Sequence, residues 1–263
     1  MEKITSKNNN LIKKATKLST SPSFRRKCGE FLLEGVRLCF DALNSDVYIV
    51  NLLVTESCIE KWSEKVSAIA EKCEQAFIIS DDVASKLADT VTTQGMFCIC
   101  RFRSFTDEIL SDKKYVALEN VQDPSNLGAA ARTAEALGID GIILCSGADM
   151  YSPKSMRASM GSLLRINVIH TSDMKETIEK CNSSGMVSFA CVPDASAEKI
   201  NEVNFNTGVL AVIGNEGNGV TKEVINTCTK KVTIPMLGRA ESLNAAAAAS
   251  IVMWEMVRGG RND

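Results

Sequence analysis

Histidine is nearly absent from this chain, which has a single one, His170, among 263 residues. Its ten cysteines are scattered and include no Cys-x-x-Cys pair. A zinc site of cysteine and histidine needs closely spaced ligands, so the sequence argues against one and predicts no metal. A Ser/His/Asp set is equally unsupported, because His170 follows an apolar strand pattern far from the polar loops described below.

Long apolar runs are also missing. No stretch approaches the roughly 18 apolar residues that a membrane-spanning helix needs, and the polar segment Met1–Asn10 lacks the apolar core of a secretory signal. The chain is 45% hydrophobic and 24% charged, which is ordinary for a globular protein with a real core. We therefore predict a cytoplasmic protein without a membrane partner, whose reduced cysteines, such as Cys98 and Cys100, serve as small core residues.

The chain has no overall positive charge, since its formal net charge is −2. Residues 1–30, however, hold eight lysines and arginines against two glutamates, a net charge of +6 that leaves −8 for the remainder. A basic N-terminal segment on an acidic body is typical of a localised phosphate-contacting surface. A solvated helix face or a frayed tail would explain the same charges, and charge alone does not decide between these explanations. The candidate phosphate-contacting residues are Lys13, Lys14, Arg25, Arg26 and Lys27.

Apolar runs of strand type alternate with helical patterns along the whole chain. This alternation predicts βα units, with largely parallel sheets covered by helices. The polar stretch from Ser104 to Lys114 is the best linker candidate, although part of it fits a short helix. We therefore predict two α/β domains, a smaller one over residues 1–104 and a second over 114–263, joined by residues 105–113.

The first of three unusual loops, Gln122–Gly128, leads from a strand into a helix of small residues. In an open α/β sheet, ligand sites form at the carboxyl ends of strands. Asn126 could simply cap the helix, and Arg132 could be a surface cation. An arginine near a helix N-terminus is nevertheless unfavourable to the helix dipole. An anionic partner such as a phosphate, bound bidentately, explains Arg132 better.

The second loop, Gly214-Asn-Glu-Gly-Asn-Gly219, has the backbone freedom to approach a ligand closely. Its glycine spacing fits neither the dinucleotide fingerprint nor a P-loop, which argues against an oxidoreductase with a nucleotide cofactor. Glu216 stands among glycines, where a plain turn would more naturally use Asn or Asp. A glycine-rich turn with an exposed carboxylate remains the alternative.

The third loop joins Ile234-Pro-Met236 to Glu241-Ser-Leu-Asn244 at the start of the final helix. Ser242 is a good N-cap, and capping alone could explain it. Asn244 is harder to explain locally, because the residues after it are alanines whose faces pack closely. A buried amide there needs partners, and a ligand could be one. Three such loops from distant stretches predict one composite pocket.

In order and spacing, the three loops resemble the three motifs of the SpoU/TrmH family. Its members are RNA 2′-O-ribose methyltransferases of the trefoil-knotted SPOUT class, and the resemblance covers residues 115–258. Residues 1–104 resemble, more weakly, the L30e-like substrate-binding domain that often precedes this catalytic domain. That likeness rests on the basic stretch Arg25–Arg37 with its Phe…Glu-Gly pattern. The resemblance implies an L30e-like α/β domain followed by a knotted SPOUT domain, although no hydrophobic pattern could reveal a knot.

The family implies S-adenosylmethionine as the methyl donor, held by backbone groups of the knot loops. By motif position, the residues near the cofactor are Gly214, Ile234 and Leu243, with Asn215 and Met236 as neighbours. Arg132 matches the arginine proposed to activate the ribose 2′-hydroxyl. Its polar companions in the catalytic site are matched by Asn126, Glu216, Ser242 and Asn244.

The family also implies an RNA substrate and a homodimer with the site at the subunit interface. Ribosomal RNA is favoured over transfer RNA, because the N-terminal domain resembles that of members that modify ribosomal RNA. Two alternatives stay open: a transfer RNA 2′-O-methyltransferase, and a non-catalytic RNA-binding or assembly protein that retains the knot fold. The presence of all the matched polar residues weighs against the second alternative.

Overall fold

The structure is a computed structural model, which describes residues 1–206 and 208–258. Its strands are β1 (Glu2–Ile4), β2 (Glu30–Glu34), β3 (Ile49–Val54), β4 (Gln75–Ile79), β5 (Met96–Arg101), β6 (Lys114–Glu119), β7 (Gly141–Cys145), β8 (Val168–Thr171), β9 (Val187–Cys191), β10 (Glu198–Lys199), β11 (Val209–Ile213) and β12 (Lys230–Thr233). Its α-helices are α1 (Asn10–Thr20), α2 (Pro22–Cys28), α3 (Val36–Asp41), α4 (Glu56–Lys61), α5 (Ser63–Ala70), α6 (Asp81–Leu87), α7 (Pro124–Leu137), α8 (Pro153–Ser159), α9 (Met174–Ser183), α10 (Lys222–Thr227) and α11 (Ala245–Arg258).

The chain divides into two compact units. The first comprises Met1–Ser104 and Asp149–Arg165, and the second comprises Phe105–Ala148 and the residues from Ile166 onward. Residues 149–165, which contain α8, thus pack with the N-terminal residues, although they lie within the second domain predicted from sequence. The boundaries at 104, 105–113 and 114 stay a prediction, and the predicted end at 263 lies outside the described residues.

The first unit is built on a five-stranded sheet with the order β1-β4-β3-β5-β2. Strands β1 and β3 run parallel to β4, whereas β5 runs antiparallel to both β2 and β3. The prediction of a largely parallel sheet is therefore wrong for the pairs that β5 makes. Hydrophobic periodicity indicates which side chains face a core, and it carries no information on strand direction.

Alternate residues of β5 face the two helical layers of this unit. Phe97 and Ile99 pack with α1 and α6 in one core cluster. On the other side, Cys98 and Cys100 are fully buried near Cys39 of α3, and burial raises the pKa of the Cys39 thiol. All ten cysteines are free, so the core role predicted for Cys98 and Cys100 is confirmed.

Arg25 holds the 149–165 segment within the first unit. Its guanidinium donates from Nε and Nη2 to Oδ2 of Asp149, at 2.8 and 2.7 Å. Nη1 donates to the carbonyls of Leu18 and Ser19, at 2.6 and 3.0 Å. The side chain is 2% exposed, and a buried cation of this kind needs such partners. The prediction that Arg25 contacts phosphate is therefore wrong: its donors are committed inside the unit.

The second unit contains a seven-stranded sheet with the order β10-β12-β9-β11-β6-β7-β8. Every neighbouring pair is parallel, as predicted. From β6 the chain first adds β7 and β8 on one side and later places β11, β9, β12 and β10 on the other. Ligand crevices form at the carboxyl ends of strands where the order of a sheet reverses in this way.

The final helix, α11, packs against α7 and β11 in the second unit. Small side chains such as Ala246 and Ala249 are buried along it, and Ser250 Oγ lies 3.0 Å from Thr133 Oγ1 of α7. The two helices therefore approach closely behind the loops. No helix within the described residues is long and apolar enough to span a bilayer.

Candidate active site

The three loops singled out from the sequence meet in the second unit and are joined by side-chain hydrogen bonds. Asn244 of the third loop donates from Nδ2 to Oδ1 of Asn126 at 2.9 Å. Asn126, at the start of α7, donates from Nδ2 to Oε1 of Glu216 in the second loop at 2.8 Å. The predicted composite site thus brings together three residues that are 90 and 118 positions apart in pairs.

The carboxylate of Glu216 also accepts hydrogen bonds from backbone N–H groups just before α7. Its Oε2 accepts from the N–H of Gln122 and its Oε1 from the N–H of Asp123, both at 3.0 Å. Burial alone would raise the pKa of Glu216, but the donors of Gln122, Asn126 and Asp123 outweigh it and hold the pKa below its usual value of 4.5. Glu216 is therefore a carboxylate at neutral pH, and it links the loops rather than forming only an exposed turn.

The helix caps decide between alternatives that the sequence left open for Asn126 and Ser242. Asp123, and not Asn126, caps α7, because its Oδ1 accepts from the N–H of Ser125 at 2.9 Å. Asn244, and not Ser242, caps α11, since its Oδ1 accepts from the N–H groups of Ala246 and Ala247 at 2.9 and 3.3 Å. Neither Asn126 nor Ser242 therefore serves as a helix cap, and the Asn126 amide instead joins the second and third loops.

The glycine-rich second loop folds back on itself tightly. Asn215 and Gly219 form an isolated antiparallel bridge, and Oδ1 of Asn215 accepts from the N–H groups of Gly217 and Asn218 at 2.9 and 3.0 Å. A Cβ at Gly214 would lie 2.1 Å from the carbonyl carbon of Gly219, so only glycine fits there. Nδ2 of Asn215 donates to the carbonyl of Asn120 at 2.9 Å, which adds a link to the chain between β6 and the first loop.

A cavity of about 490 Å³ opens beside these loops, within the roughly 300–1,000 Å³ typical of ligand sites. All five residues predicted to contact a cofactor line it, as do Glu216 and Ser242. The cofactor set is Gly214, Asn215, Ile234, Met236 and Leu243. Apolar side chains such as Ile213 and Val232 form much of the remaining wall. The structure thus places the second and third loops around one cavity.

Sequence reasoning missed a fourth contribution, from the loop after β9. Val192, Pro193 and Asp194 line the same cavity. The signal was present, because Pro193-Asp194 follows an apolar strand as the other loops do. Glu119 at the end of β6 was also missed: it is 7% exposed and accepts from N and Oγ1 of Thr221 at 2.9 and 2.7 Å. Glu119 thereby holds the chain that leaves the second loop.

Arg132 stands apart from this network. It is exposed on α7, and within 1–206 and 208–258 it has no hydrogen-bond or ion-pair partner. Arg132 lies six positions after Asn126 in this α-helix, which corresponds to about 9 Å along the axis and about 240° around it. The arginine and the Asn126 amide therefore point in different directions from the same helix.

All five predicted phosphate-contacting residues lie on α1 and α2 of the first unit. Lys13, Arg26 and Lys27 are exposed. Lys14 is partly engaged, with its Nζ 2.5 Å from Oε2 of Glu30. Arg25 is the exception, for the reason given above. No cluster of three or more histidine, cysteine or acidic side chains that could hold a metal occurs in the described part of the chain.

A parallel α/β sheet with a cavity formed by glycine-rich and polar loops at its strand ends defines a ligand-binding α/β protein. The chain belongs to the SpoU rRNA Methylase family, which matches residues 113–254. An MRM3-like substrate binding domain matches residues 9–98. The family resemblance inferred from the three loops is thereby confirmed, together with a substrate-binding domain ahead of the methylase domain.

Similar proteins match nearly the whole chain. The 23S rRNA (guanosine(2553)-2′-O)-methyltransferase RlmP of Bacillus subtilis is 28% identical over 97% of this chain and 99% of its own length. An uncharacterized tRNA/rRNA methyltransferase of Synechocystis is 31% identical over 97% of this chain and 93% of its own. The structure of an AdoMet-bound rRNA methyltransferase from Sinorhizobium meliloti superimposes with a TM-score of 0.87 at 27% identity, covering 98% of both chains.

Replacing Glu216 by glutamine should loosen the first loop. Two carboxylate oxygens now accept hydrogen bonds from backbone N–H groups, and in glutamine an NH₂ group, which cannot accept, would replace one of these oxygens. We expect the free energy of unfolding at pH 7, measured by urea denaturation, to fall by about 1 kcal/mol. The pKa of Glu216 is lowered in the folded protein, so its contribution is fully present above the unfolded-state pKa of about 4.5. The difference between the two proteins should therefore shrink as the pH falls through the folded-state pKa.

Glu223→Gln provides the matched control, since Glu223 is exposed on α10 and lies 3.5 Å from Lys175. This change should alter stability by no more than about 0.5 kcal/mol. A Glu216→Gln protein as stable at pH 7 as the control would contradict the linking role.

Proposed function

We propose that this protein is an S-adenosylmethionine-dependent RNA 2′-O-ribose methyltransferase that acts on ribosomal RNA. The observation that carries the proposal is the hydrogen-bonded series from Asn244 through Asn126 to Glu216 beside the cavity. These are residues that the motif resemblance assigns to the catalytic site. The Bacillus subtilis relative, named as a 23S rRNA 2′-O-methyltransferase, supports ribosomal RNA as the substrate class.

The cavity suits S-adenosylmethionine. Its apolar wall, with Ile213 and Val232, accommodates a flat base, while the backbone of 214–219 offers N–H and C=O groups to polar edges. Gly214, where no side chain fits, keeps that backbone close to the cavity. When bound, the cofactor supplies a methyl group carried on a sulfonium. The AdoMet-bound relative from Sinorhizobium meliloti supports this assignment.

The transfer requires the ribose 2′-oxygen to lie in line with the methyl group and to lose its proton. Asn126, Glu216 and Asn244 hold one another, so their polar groups are oriented before substrate arrives, and positioning of this kind supplies much of the rate. A guanidinium stays protonated in proteins and is a poor base. Arg132 therefore acts chiefly by holding the target phosphate and by stabilising the negative charge that develops on the 2′-oxygen.

The position of Arg132 supports a homodimeric site. The exposed guanidinium points away from the Asn126 amide of its own chain, so it suits the site of a second subunit. Large apolar side chains on α11 are also exposed, with Trp254 at 49% and Ile251 at 37%. A second copy of the chain against α7 and α11 would cover them. We also propose that this chain has the trefoil knot of the family.

RNA binds, in this proposal, to the basic face of the first unit. Lys13, Arg26 and Lys27 are exposed there and carry charge for phosphate contacts, with Lys14 beside them. Their electrostatic contribution does not depend on sequence, so it serves ribosomal or transfer RNA equally. The free cysteines fit the cytoplasm as the compartment.

Mapping 2′-O-methyl sites in total RNA, with and without the gene, tests both activity and substrate. We expect one ribosomal RNA site to disappear on deletion, to return with the wild-type gene, and to stay absent with Arg132→Ala, because the guanidinium is needed at the transition state. Lys180→Ala, on α9 beside Glu176, is the control that should restore the site. A lost site in transfer RNA would favour the first alternative, and no lost site would favour the non-catalytic one.

Mixing two inactive variants tests the shared site. Arg132→Ala and Asn244→Asp should each be inactive, while Asn244→Asp keeps the oxygen that caps α11. A heterodimer would retain one intact site, so a random mixture should recover about one quarter of the wild-type turnover. Methyl transfer to an RNA fragment measures it. A mixture as inactive as its parents would place Arg132 at its own subunit's site.

Changing Arg26 and Lys27 to glutamine should weaken RNA binding without loss of stability, because both side chains are exposed. The slope of log K against log salt should fall by about one for each phosphate contact removed. Arg25→Gln is the contrasting change. It should lower the free energy of unfolding by about 3 kcal/mol, because Asp149 and the carbonyls of Leu18 and Ser19 would lose their donor. An unchanged salt slope in the double variant would exclude this face from RNA binding.

A further inference from the structure

The loop after β9 occupies the middle of the strand ends that surround the cavity. In the sheet, β9 lies between β12 and β11. Strand β12 leads to the third loop and β11 to the second, so the loop of β9 emerges between them. Asp194 is the charged residue of this loop, and it lines the cavity together with Lys231 of β12.

The carboxylate of Asp194 is held in place before any ligand binds. Its Oδ1 accepts from N and Oγ of Ser196, at 2.9 and 2.7 Å. These two hydrogen bonds, with a smaller contribution from Lys231, lower the pKa of Asp194. Oδ2 lies 3.8 Å from Nζ of Lys231, too far for a short hydrogen bond. One oxygen is thus fixed, while the other keeps free acceptor capacity beside a donor.

The other acid that lines the cavity is not free in this way. Both oxygens of Glu216 already accept from the first loop. Asp194 and Lys231 each remain more than two-fifths exposed at the side chain, at 42% and 48%. Asp194 and Lys231 are therefore the charged side chains of the cavity wall that take no part in the hydrogen bonds between the loops.

The surroundings of this pair favour the nucleoside part of a ligand. Val192, Ile200 and Val232, on the same side of the sheet order, are apolar and line the cavity. Apolar surface of this kind accepts a purine, and the first polar groups beyond the base are the ribose hydroxyls. A carboxylate that accepts from a ribose hydroxyl is a recurrent device of nucleotide-binding α/β sheets.

We propose that Asp194, with Lys231 beside it, binds the ribose hydroxyls of the methyl donor. The carboxylate accepts from the 2′-hydroxyl, and the ammonium group donates to the neighbouring 3′-oxygen. The inference rests on the proposed function, since it assigns a side-chain contact to the same cavity. It adds a specificity residue outside the three motifs, and it makes the protein dependent on the sugar of the cofactor as well as on its base.

Calorimetric titration of the purified full-length protein with two probes tests the proposal. S-adenosylhomocysteine carries both the ribose and the amino-acid end, whereas 5′-methylthioadenosine carries the ribose without the amino-acid end. Asp194→Ala should weaken both probes by the same factor, about 10-fold or more, because a hydrogen bond to a charged group is lost. Asp194→Asn retains an oxygen for Ser196, and it should show the same pattern with a smaller loss.

A third probe, the 2′-deoxy form of 5′-methylthioadenosine, isolates the contact. Wild-type protein should bind it more weakly than the parent compound, and Asp194→Ala should bind the two within about twofold, as a double-mutant cycle requires for a direct contact. Glu198→Ala is the matched control. Glu198 pairs with the neighbouring Lys230 at 2.9 Å and does not line the cavity, so all affinities should stay at the wild-type value.

The outcomes separate this inference from the proposed function. Wild-type protein that binds neither nucleoside probe would overturn the proposed function itself. If wild-type protein binds but Asp194→Ala binds equally well, only the ribose contact is overturned. Weakening confined to S-adenosylhomocysteine would also overturn it, because Asp194 would then recognise the amino-acid end. The ribose contact would also be overturned if removing the 2′-hydroxyl from the probe lowered the affinity of Asp194→Ala and Asp194→Asn as much as it lowers that of the wild-type protein.

Discussion

The candidate site depends on the hydrogen bonds that the carboxylate of Glu216 accepts. This carboxylate accepts from the N–H groups of Gln122 and Asp123 and from the amide of Asn126, and Asn126 in turn accepts from Asn244. A charged acceptor makes stronger hydrogen bonds than a neutral one. Segments separated by about a hundred residues are therefore held in one arrangement before a ligand arrives, as transition-state stabilisation by fixed dipoles requires.

This arrangement is possible because the parallel sheet delivers four loops to one edge. Strands β12, β9, β11 and β6 are neighbours, so their carboxyl ends are spaced by single strand widths. The bridge between Asn215 and Gly219 keeps the second loop short, and the small residues of α11 allow that helix to approach α7. The cavity consequently lies beside the hydrogen-bonded network of Glu216, Asn126 and Asn244. In the proposed function, a cofactor held in the cavity would present its reactive group beside side chains that are already oriented.

Much of the site could be predicted because its signals are local. The glycines of 214–219, the small-residue helix after Asn126 and the Ser-Leu-Asn before α11 stand out in composition and follow apolar strands. Other features failed for a physical reason. Ser242 and Asn244 are both good capping residues, and the actual helix start at Ala245 selected Asn244. The loop of β9 follows an apolar strand as the other loops do, but only the strand order shows that it emerges at the cavity.

The sequence by itself determined the alternation of strands and helices, the three loops, the family and the basic character of residues 1–30. These properties reside in residue type and short-range spacing, which act through local backbone preference and side-chain periodicity. Only the tertiary structure decided that β5 runs antiparallel, that Arg25 is buried, and that the loop after β9 lines the cavity. Each depends on partners distant in the chain, as Arg25 depends on Asp149, 124 residues away. Local periodicity shows which face of an element is apolar, and packing alone decides what that face meets.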